Sequence, residues 1–458
     1  MTHSAEIITV EVGSTITKAL AFGDGRILGR ATALTTPADV SAGLREAGER
    51  LRAACGLALA DAGRIYATSS AAGGLRMTVH GLTRDLTARA AEEAALGAGA
   101  NLKLVTAGRL GERDLKKIAA ILPNLVMLAG GVEHGEEETV LANARAIAGL
   151  GLECPAVYAG NVVLQDEVRE IFASAGRDVE VVENVYPRFD ELNVEPVRAV
   201  IQRLFAERLV LAPGMDEFRR LAGGRVSPVP AAVLRAAELL AEEVGDLVVV
   251  DVGGATTDVH SVIGKRCQEP FSGTAQQGAA QKRFLTPFSV DPQVVSRRTV
   301  EGDLGLFASA DSAWRAMGRK GAPAPLAALP SSGEERAVSR ELAMGCTELG
   351  LVRHAGRFIP GAVLPDGRVP VRGRDLRSAR LVVGTGGALA ALEGGLESLE
   401  RAMQARRREA LLPPADAELR LDRDYVFAAC GAFAADSPDL ALALMLASLG
   451  LSATDGHR

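Results

Sequence analysis

Two short segments far apart in this chain share one design, and that duplication restricts the fold more than any other feature. Ile7–Lys18 reads Ile-Ile-Thr-Val-Glu-Val-Gly-Ser-Thr-Ile-Thr-Lys, and Leu247–Asp258 reads Leu-Val-Val-Val-Asp-Val-Gly-Gly-Ala-Thr-Thr-Asp. In each, a β-branched run ends in a carboxylate, a glycine-centred turn follows, and threonine opens a second run. Glu11 aligns with Asp251, Gly13 with Gly253, and Thr17 with Thr257. One such segment is an ordinary hairpin. Two predict a duplicated α/β fold whose halves each offer a phosphate-binding turn to one shared nucleotide.

The residue types suit that chemistry. Gly13, Gly253 and Gly254 let the backbone approach a phosphate and adopt φ > 0, so that successive N–H groups point at one anion. Ser14, Thr15, Thr17, Thr256 and Thr257 add neutral donors. Lys18 either neutralises phosphate or is a solvated side chain on the second strand. Glu11 and Asp251, at the strand ends, are the expected Mg²⁺ ligands, because Mg²⁺ takes oxygen donors and keeps part of its water. The same two carboxylates are the catalytic candidates, since phosphoryl transfer needs a group that orients the attacking oxygen. The sequence has no Gly-x4-Gly-Lys-Ser/Thr and no Gly-x-Gly-x-x-Gly that opens a helix after a strand.

The 458 residues suggest roughly three units at ~150 residues each. The expected division is a first lobe at 1–190, a second at 191–410, and C-terminal helices at 411–458 that return to the first. A net charge of −6 with interspersed Arg and Lys argues against a nucleic-acid groove. No window reaches the ~18 uncharged apolar residues of a membrane span, and Met-Thr-His-Ser-Ala-Glu does not resemble a signal peptide. Five cysteines without a Cys-x-x-Cys spacing predict neither zinc nor a disulfide framework, and hence a reduced, cytoplasmic protein.

Hydrophobic periodicity predicts strands at 6–12, 18–22, 26–34, 64–68, 102–106, 125–129, 156–159, 179–182 and 381–383. Helices are expected from Pro37 to Cys55 and near 81–97, 111–121, 137–149 and 163–175. More are expected within 195–243, and at 424–435 and 437–449. Residues 292–300 read as helix, 264–283, 319–336 and 411–423 as loops, and 453–458 as a disordered tail. The alternation over 81–183 implies right-handed βαβ units and a parallel sheet.

Gly384-Thr385-Gly386-Gly387 makes a third glycine-rich strand end after the two turns. Three such ends in this order resemble the actin-like ATPase superfamily of sugar kinases, actin and heat-shock chaperones. That resemblance implies phosphates at the first two and adenosine at the third. Val249–Val262 further resembles the glutamate mutase accessory protein family (methylaspartate mutase L), which is unrelated to the mismatch-repair protein of the same short name. Thr68–Leu75, Leu96–Ala100, Leu128–Gly131, Ala159–Asn161, Pro230–Leu234 and Arg298–Gly305 match as well, over most of the chain to about 310 and again from 381. The resemblance implies ATP and Mg²⁺ as cofactors and the subunits of an adenosylcobalamin-dependent mutase as partners, with neither nucleic acid nor membrane involved and self-association open. It implies an ATP-dependent reactivating, chaperone-like role with ATPase activity. The family usually carries Asp where this chain has Glu11.

Glu301 and Asp303 are candidates for contact with ribose or water, with helix capping as the alternative. His260 reads as a packed or edge histidine and His134 as a surface one. Residues 99–183 resemble a cobalamin-binding domain in outline but lack its Asp-x-His-x-x-Gly loop, so no cobalt ligation is expected. The plainer reading is that their strands complete the first lobe. Among functions, a small-molecule kinase or a hydantoinase/oxoprolinase-type enzyme is the alternative, although no convincing substrate base is visible.

Overall fold

The structure, a computed structural model, describes residues 5–36, 39–70, 75–189, 191–208, 215–264, 287–289, 294–359, 369–405 and 410–451. The Ala71–Gly74 turn, most of the 264–283 loop, the start of the 292–300 segment and the 453–458 tail lie outside them. The chain divides into two compact units, residues 1–232 and 233–458.

The first unit holds two sheets. Its strands are β1 (Ile7–Val12), β2 (Ile16–Gly23), β3 (Arg26–Leu34), β4 (Arg64–Ser69), β5 (Arg76–Gly81), β6 (Asn101–Ala107), β7 (Leu125–Leu128), β8 (Ala156–Tyr158), β9 (Val179–Val181) and β10 (Val226–Pro228). One sheet runs β10-β4-β1-β2-β3. The β2–β3 hairpin turns through Asp24 (φ 53°) and Gly25 (φ 70°), left-handed values that suit a two-residue primed turn. The other sheet runs β6-β5-β7-β8-β9, and every neighbouring pair is parallel. Residues 76–181 therefore build a sheet of their own and do not extend the first one. β5 was not expected. Its alternation, Met77 and Val79 against Thr78 and His80, is too short to stand out beside the small-residue turn before it. Helices Glu138–Ala148 and Gln165–Ser174 cover this sheet, burying Val140, Ile147, Val168 and Phe172 against Val126 and Tyr158.

His80 is fully enclosed in β5, its ring nitrogens 2.8 Å from Thr106 Oγ1 and 3.0 Å from Thr78 Oγ1. Burial pushes its pKa down to about 4, against the pull of Asp114 toward the charged form. Unfolded, the ring takes up its proton near pH 6.5. Between those values the unfolded chain binds more protons, so stability falls as pH drops from about 6.5 to about 4, by up to about 3 kcal/mol for this group. Urea midpoints measured across that range are expected to fall less steeply in His80→Gln. An unchanged slope would mean that the ring is charged in the folded protein.

The second unit repeats the first sheet. Its strands are β11 (Leu247–Val252), β12 (Thr257–Val262), β13 (Pro287–Ser289), β14 (Ser296–Glu301), β15 (Arg357–Phe358), β16 (Val369–Arg372), β17 (Leu381–Thr385) and β18 (Glu418–Leu421). The large sheet runs β14-β12-β11-β17-β18. Written from the same end, the first is β3-β2-β1-β4-β10, and the directions agree pair by pair: antiparallel, antiparallel, parallel, parallel. The α/β fold is thus a duplication around two equivalent hairpins, as the two matching sequence segments predict.

Two expectations are corrected here. Residues 296–301 form β14, because pairing with β12 along six residues overrides a weak helical pattern. Residues 418–421, read as loop, form β18 on the far side of β17. Helix Gly333–His354 was not foreseen, although its start is written in the sequence. Ser332 accepts from the Glu335 N–H and Glu335 reaches back to Ser332, a capping box. Leu342, Cys346 and Leu351 of this helix pack beneath Val248, Val250 and Val252 of β11.

Candidate functional site

The two hairpin turns are built alike. Gly13 N–H donates to Ile16 O and Gly253 N–H to Thr256 O, both at 2.9 Å. Neither glycine, nor Gly254, adopts the positive φ expected of them. Glycine is needed at position 13 for space, since a Cβ there would lie 2.7 Å from Ile16 O. The second turn is held from behind. Leu306 N–H donates to Gly253 O (3.1 Å), and Phe307 and Ala308 N–H to Gly254 O (2.8 Å each). Ser309 Oγ donates to Ala255 O (2.7 Å). Gly305 lies so close that a Cβ would sit 2.6 Å from Ala255 C. With its carbonyls engaged, the turn leaves the N–H groups of Gly254, Ala255 and Thr256 with no protein acceptor among the described residues, on half-buried backbone. Successive free N–H groups form an anion-binding concavity.

The strand-end carboxylates differ in their surroundings. In the first hairpin, register sets Glu11 opposite Lys18, and the buried pair closes at 3.0 Å. Lys18 is thus neither solvated nor directed at a phosphate. It neutralises Glu11. In the second hairpin, register sets Asp251 opposite Asp258. Like charges facing each other repel, and Arg298 from β14 resolves this by pairing with Asp258 at 2.5 and 2.7 Å in a buried site. Thr256 Oγ1 also donates to Asp258 (3.0 Å).

Gly384-Thr385-Gly386-Gly387 reaches the same edge. β11 and β17 are parallel, with Asp251 beside Thr385, so both strands end together. Carboxyl ends of parallel strands are where α/β sheets take ligands. Gly386 has φ 82° and packs against Asp251, where a Cβ would overlap Oδ1 and approach Val252 O at 2.5 Å.

Several predicted contacts point elsewhere. Thr17 and Thr257 are fully buried. The Thr17 hydroxyl pairs with that of Thr35 (3.0 Å), and Thr257 Oγ1 donates to Leu304 O (3.1 Å). Thr385 Oγ1 donates inward to Asp422 (2.8 Å). Ser14 and Thr15 stay at the surface of the first turn, and Gly387 begins helix Gly387–Ala390. Glu301 and Asp303 are both held by Arg353, each at 2.7 Å. Burial raises the Glu301 pKa even against that guanidinium, whereas Arg353 lowers that of Asp303. His260 is fully buried and its pKa lies well below the usual histidine range because of burial, and His134 is an exposed loop residue with φ 58°, at the surface as expected. Cys346, enclosed in the core, has its thiol pushed up to about 12. Sequence reasoning missed Arg353, Asp422 and Ser309, and the pairing role of Arg298. Each acts from a distant segment, and only the capping pattern before 353 carried any signal.

The family described as "MutL protein" matches residues 7–449. "Protein MutL" of Clostridium tetanomorphum is 35% identical over 466 residues, covering 96% of this chain and 98% of that protein. Among solved structures, nucleotide-free acetone carboxylase is 13% identical with a TM-score of 0.40, over 94% of this chain and 70% of that one. A diol dehydratase-reactivating factor in nucleotide-free form is 13% identical with a TM-score of 0.36, over 94% and 99%. A glycerol dehydratase reactivase is 11% identical with a TM-score of 0.33, over 94% and 100%. Likenesses this distant carry no functional argument. The match along nearly the whole sequence does, and by it this chain belongs to the MutL protein family, the glutamate mutase accessory proteins.

Proposed function

We propose that this protein is an ATP-dependent accessory and reactivating protein for an adenosylcobalamin-dependent mutase, working in the cytoplasm. The observation that carries the nucleotide part is the second turn. Its carbonyls are tied to 306–309, the N–H groups of Gly254, Ala255 and Thr256 have no protein acceptor among the described residues, and Asp251 and Gly386 flank it. Phosphate oxygens suit the N–H groups, and Asp251, at the end of β11 beside the glycine-rich end of β17, is the residue to hold Mg²⁺ through water. Mg²⁺ would supply charge neutralisation at the phosphates. The Gly384–Gly387 turn, which ends beside Asp251, is the place for the adenosine. Family membership supplies the mutase part.

The chain's own residues divide the work. Arg298 holds Asp258 away from Asp251, Ser309 fixes the turn, and Arg353 restrains Glu301 and Asp303 beside it. The Glu11–Lys18 pair keeps the first turn neutral. Closure on the nucleotide and its loosening after hydrolysis would change affinity for the mutase, a ligand-driven shift between two states.

Mg-ADP at a hundred times its Kd is expected to stabilise the chain by about 2.7 kcal/mol, read as a rise in Tm. Asp251→Ala should remove the part that EDTA also removes. No shift and no heat of titration at millimolar nucleotide would refute the proposal.

In Glu11→Asp, which restores the residue usual in the family, nucleotide binding should persist with hydrolysis equal or faster. Loss of all binding in that variant would show that the two hairpins are not functionally equivalent.

A further inference from the structure

Asp422, which follows β18, is a carboxylate that the nucleotide reading leaves unused. It is fully buried, and among the described residues no Lys or Arg pairs with it. A buried carboxylate without a cation must be held by hydrogen bonds. Four donors converge on it. Oδ1 accepts from Val426 N–H (3.0 Å) and Ser448 Oγ (2.6 Å), and Oδ2 from Phe427 N–H (3.0 Å) and Thr385 Oγ1 (2.8 Å). Its backbone N–H donates to Gly384 O (2.9 Å) and its carbonyl accepts from Tyr425 N–H (2.9 Å).

The donors come from three places. Thr385 and Gly384 belong to the glycine-rich turn after β17. Val426 and Phe427 start helix Phe427–Phe433, and Ser448 lies near the end of helix Pro438–Leu449. Ser448 Oγ also accepts from Asp424 N–H (2.9 Å). Between them Tyr425 sits at φ 52°, a strained value for a bulky side chain that survives only where its surroundings over-determine it.

We infer that Asp422 is a positioning residue that couples nucleotide occupancy at the 384–387 turn to the two C-terminal helices. This rests on the nucleotide reading above. A shift of the turn moves Thr385, and the carboxylate cannot follow without altering its bonds to both helices. Both oxygens of this buried carboxylate are satisfied by protein donors, so a change at one donor is felt at the others.

The test is amide hydrogen exchange over 427–449 on the full chain, with and without Mg-ADP, beside calorimetric titration. In the wild type, ADP should slow exchange there by about fivefold or more, the lower range of allosteric coupling. Ser448→Ala should bind ADP with unchanged affinity but lose the protection. Thr385→Val should lose it too, and Thr385→Ser, which keeps the hydroxyl, should retain it. Equal protection in Ser448→Ala and the wild type, or ADP binding by the wild type without protection, would overturn the inference. If Ser448→Ala fails to fold, the Val and Ser variants at 385 decide, and equal protection in both overturns it. A wild type that gives no heat with ADP overturns the nucleotide reading itself, and the inference falls with it.

Discussion

A mutase inactivated by damage to its cobalamin is expected to regain turnover only when this protein, ATP, Mg²⁺ and fresh adenosylcobalamin are all supplied. The physical requirement is differential affinity. A protein that binds two mutase states equally shifts nothing, and one whose affinity depends on its nucleotide shifts their balance once per cycle. Asp251 is the residue on which the cycle should depend, because it stands at the strand end beside the second turn and against Gly386. Asp251→Ala should cut recovery by at least about tenfold, the loss that even an outer partner of a bound metal commonly produces. Recovery that is equal without ATP, or with the variant, would reduce the role to passive binding. Phosphorylation of an added small metabolite would instead favour the kinase alternative.

The second large effect is expected from one methyl group. Gly386→Ala places a Cβ at φ 82° against Asp251 and Val252. The left-handed backbone costs of order 1–2 kcal/mol for a residue with a Cβ, and overpacking adds about 1–3 kcal/mol. Nucleotide affinity should fall with stability, since the displaced group is the proposed metal ligand. Gly387→Ala is the control, because a Cβ there meets nothing within 4 Å. Thermal unfolding and nucleotide titration of the two variants separate the cases. Equal behaviour would show that the close approach at Gly386 has no consequence.

The hairpins were legible because their determinants are local. A β-branched run, a carboxylate and a glycine turn lie within a dozen residues at each site, and hairpin register is set by the turn itself. The duplication of Glu11 and Asp251 was therefore readable, and so was the antiparallel half of the first unit's strand order. The long capped helix at 333–354 was also written locally, in Ser332 and Glu335, and was overlooked. β14 and β18 were not readable. Each is a short strand with mixed residues whose state is decided by a neighbour already in place, β12 or β17.

The site divides in the same way. The residues proposed to bind a phosphate were named by type and spacing. Which hydroxyls turn toward the edge was not knowable. Strand alternation aims Thr17 and Thr257 inward, and Thr385 serves Asp422. Nor could spacing show that Lys18 answers Glu11 while Arg298 answers Asp258. Linear order records which residues are adjacent along a strand. Charge balance at a buried point depends on side chains from other strands and helices, here positions 298, 353 and 422, and only folding brings those within hydrogen-bonding distance.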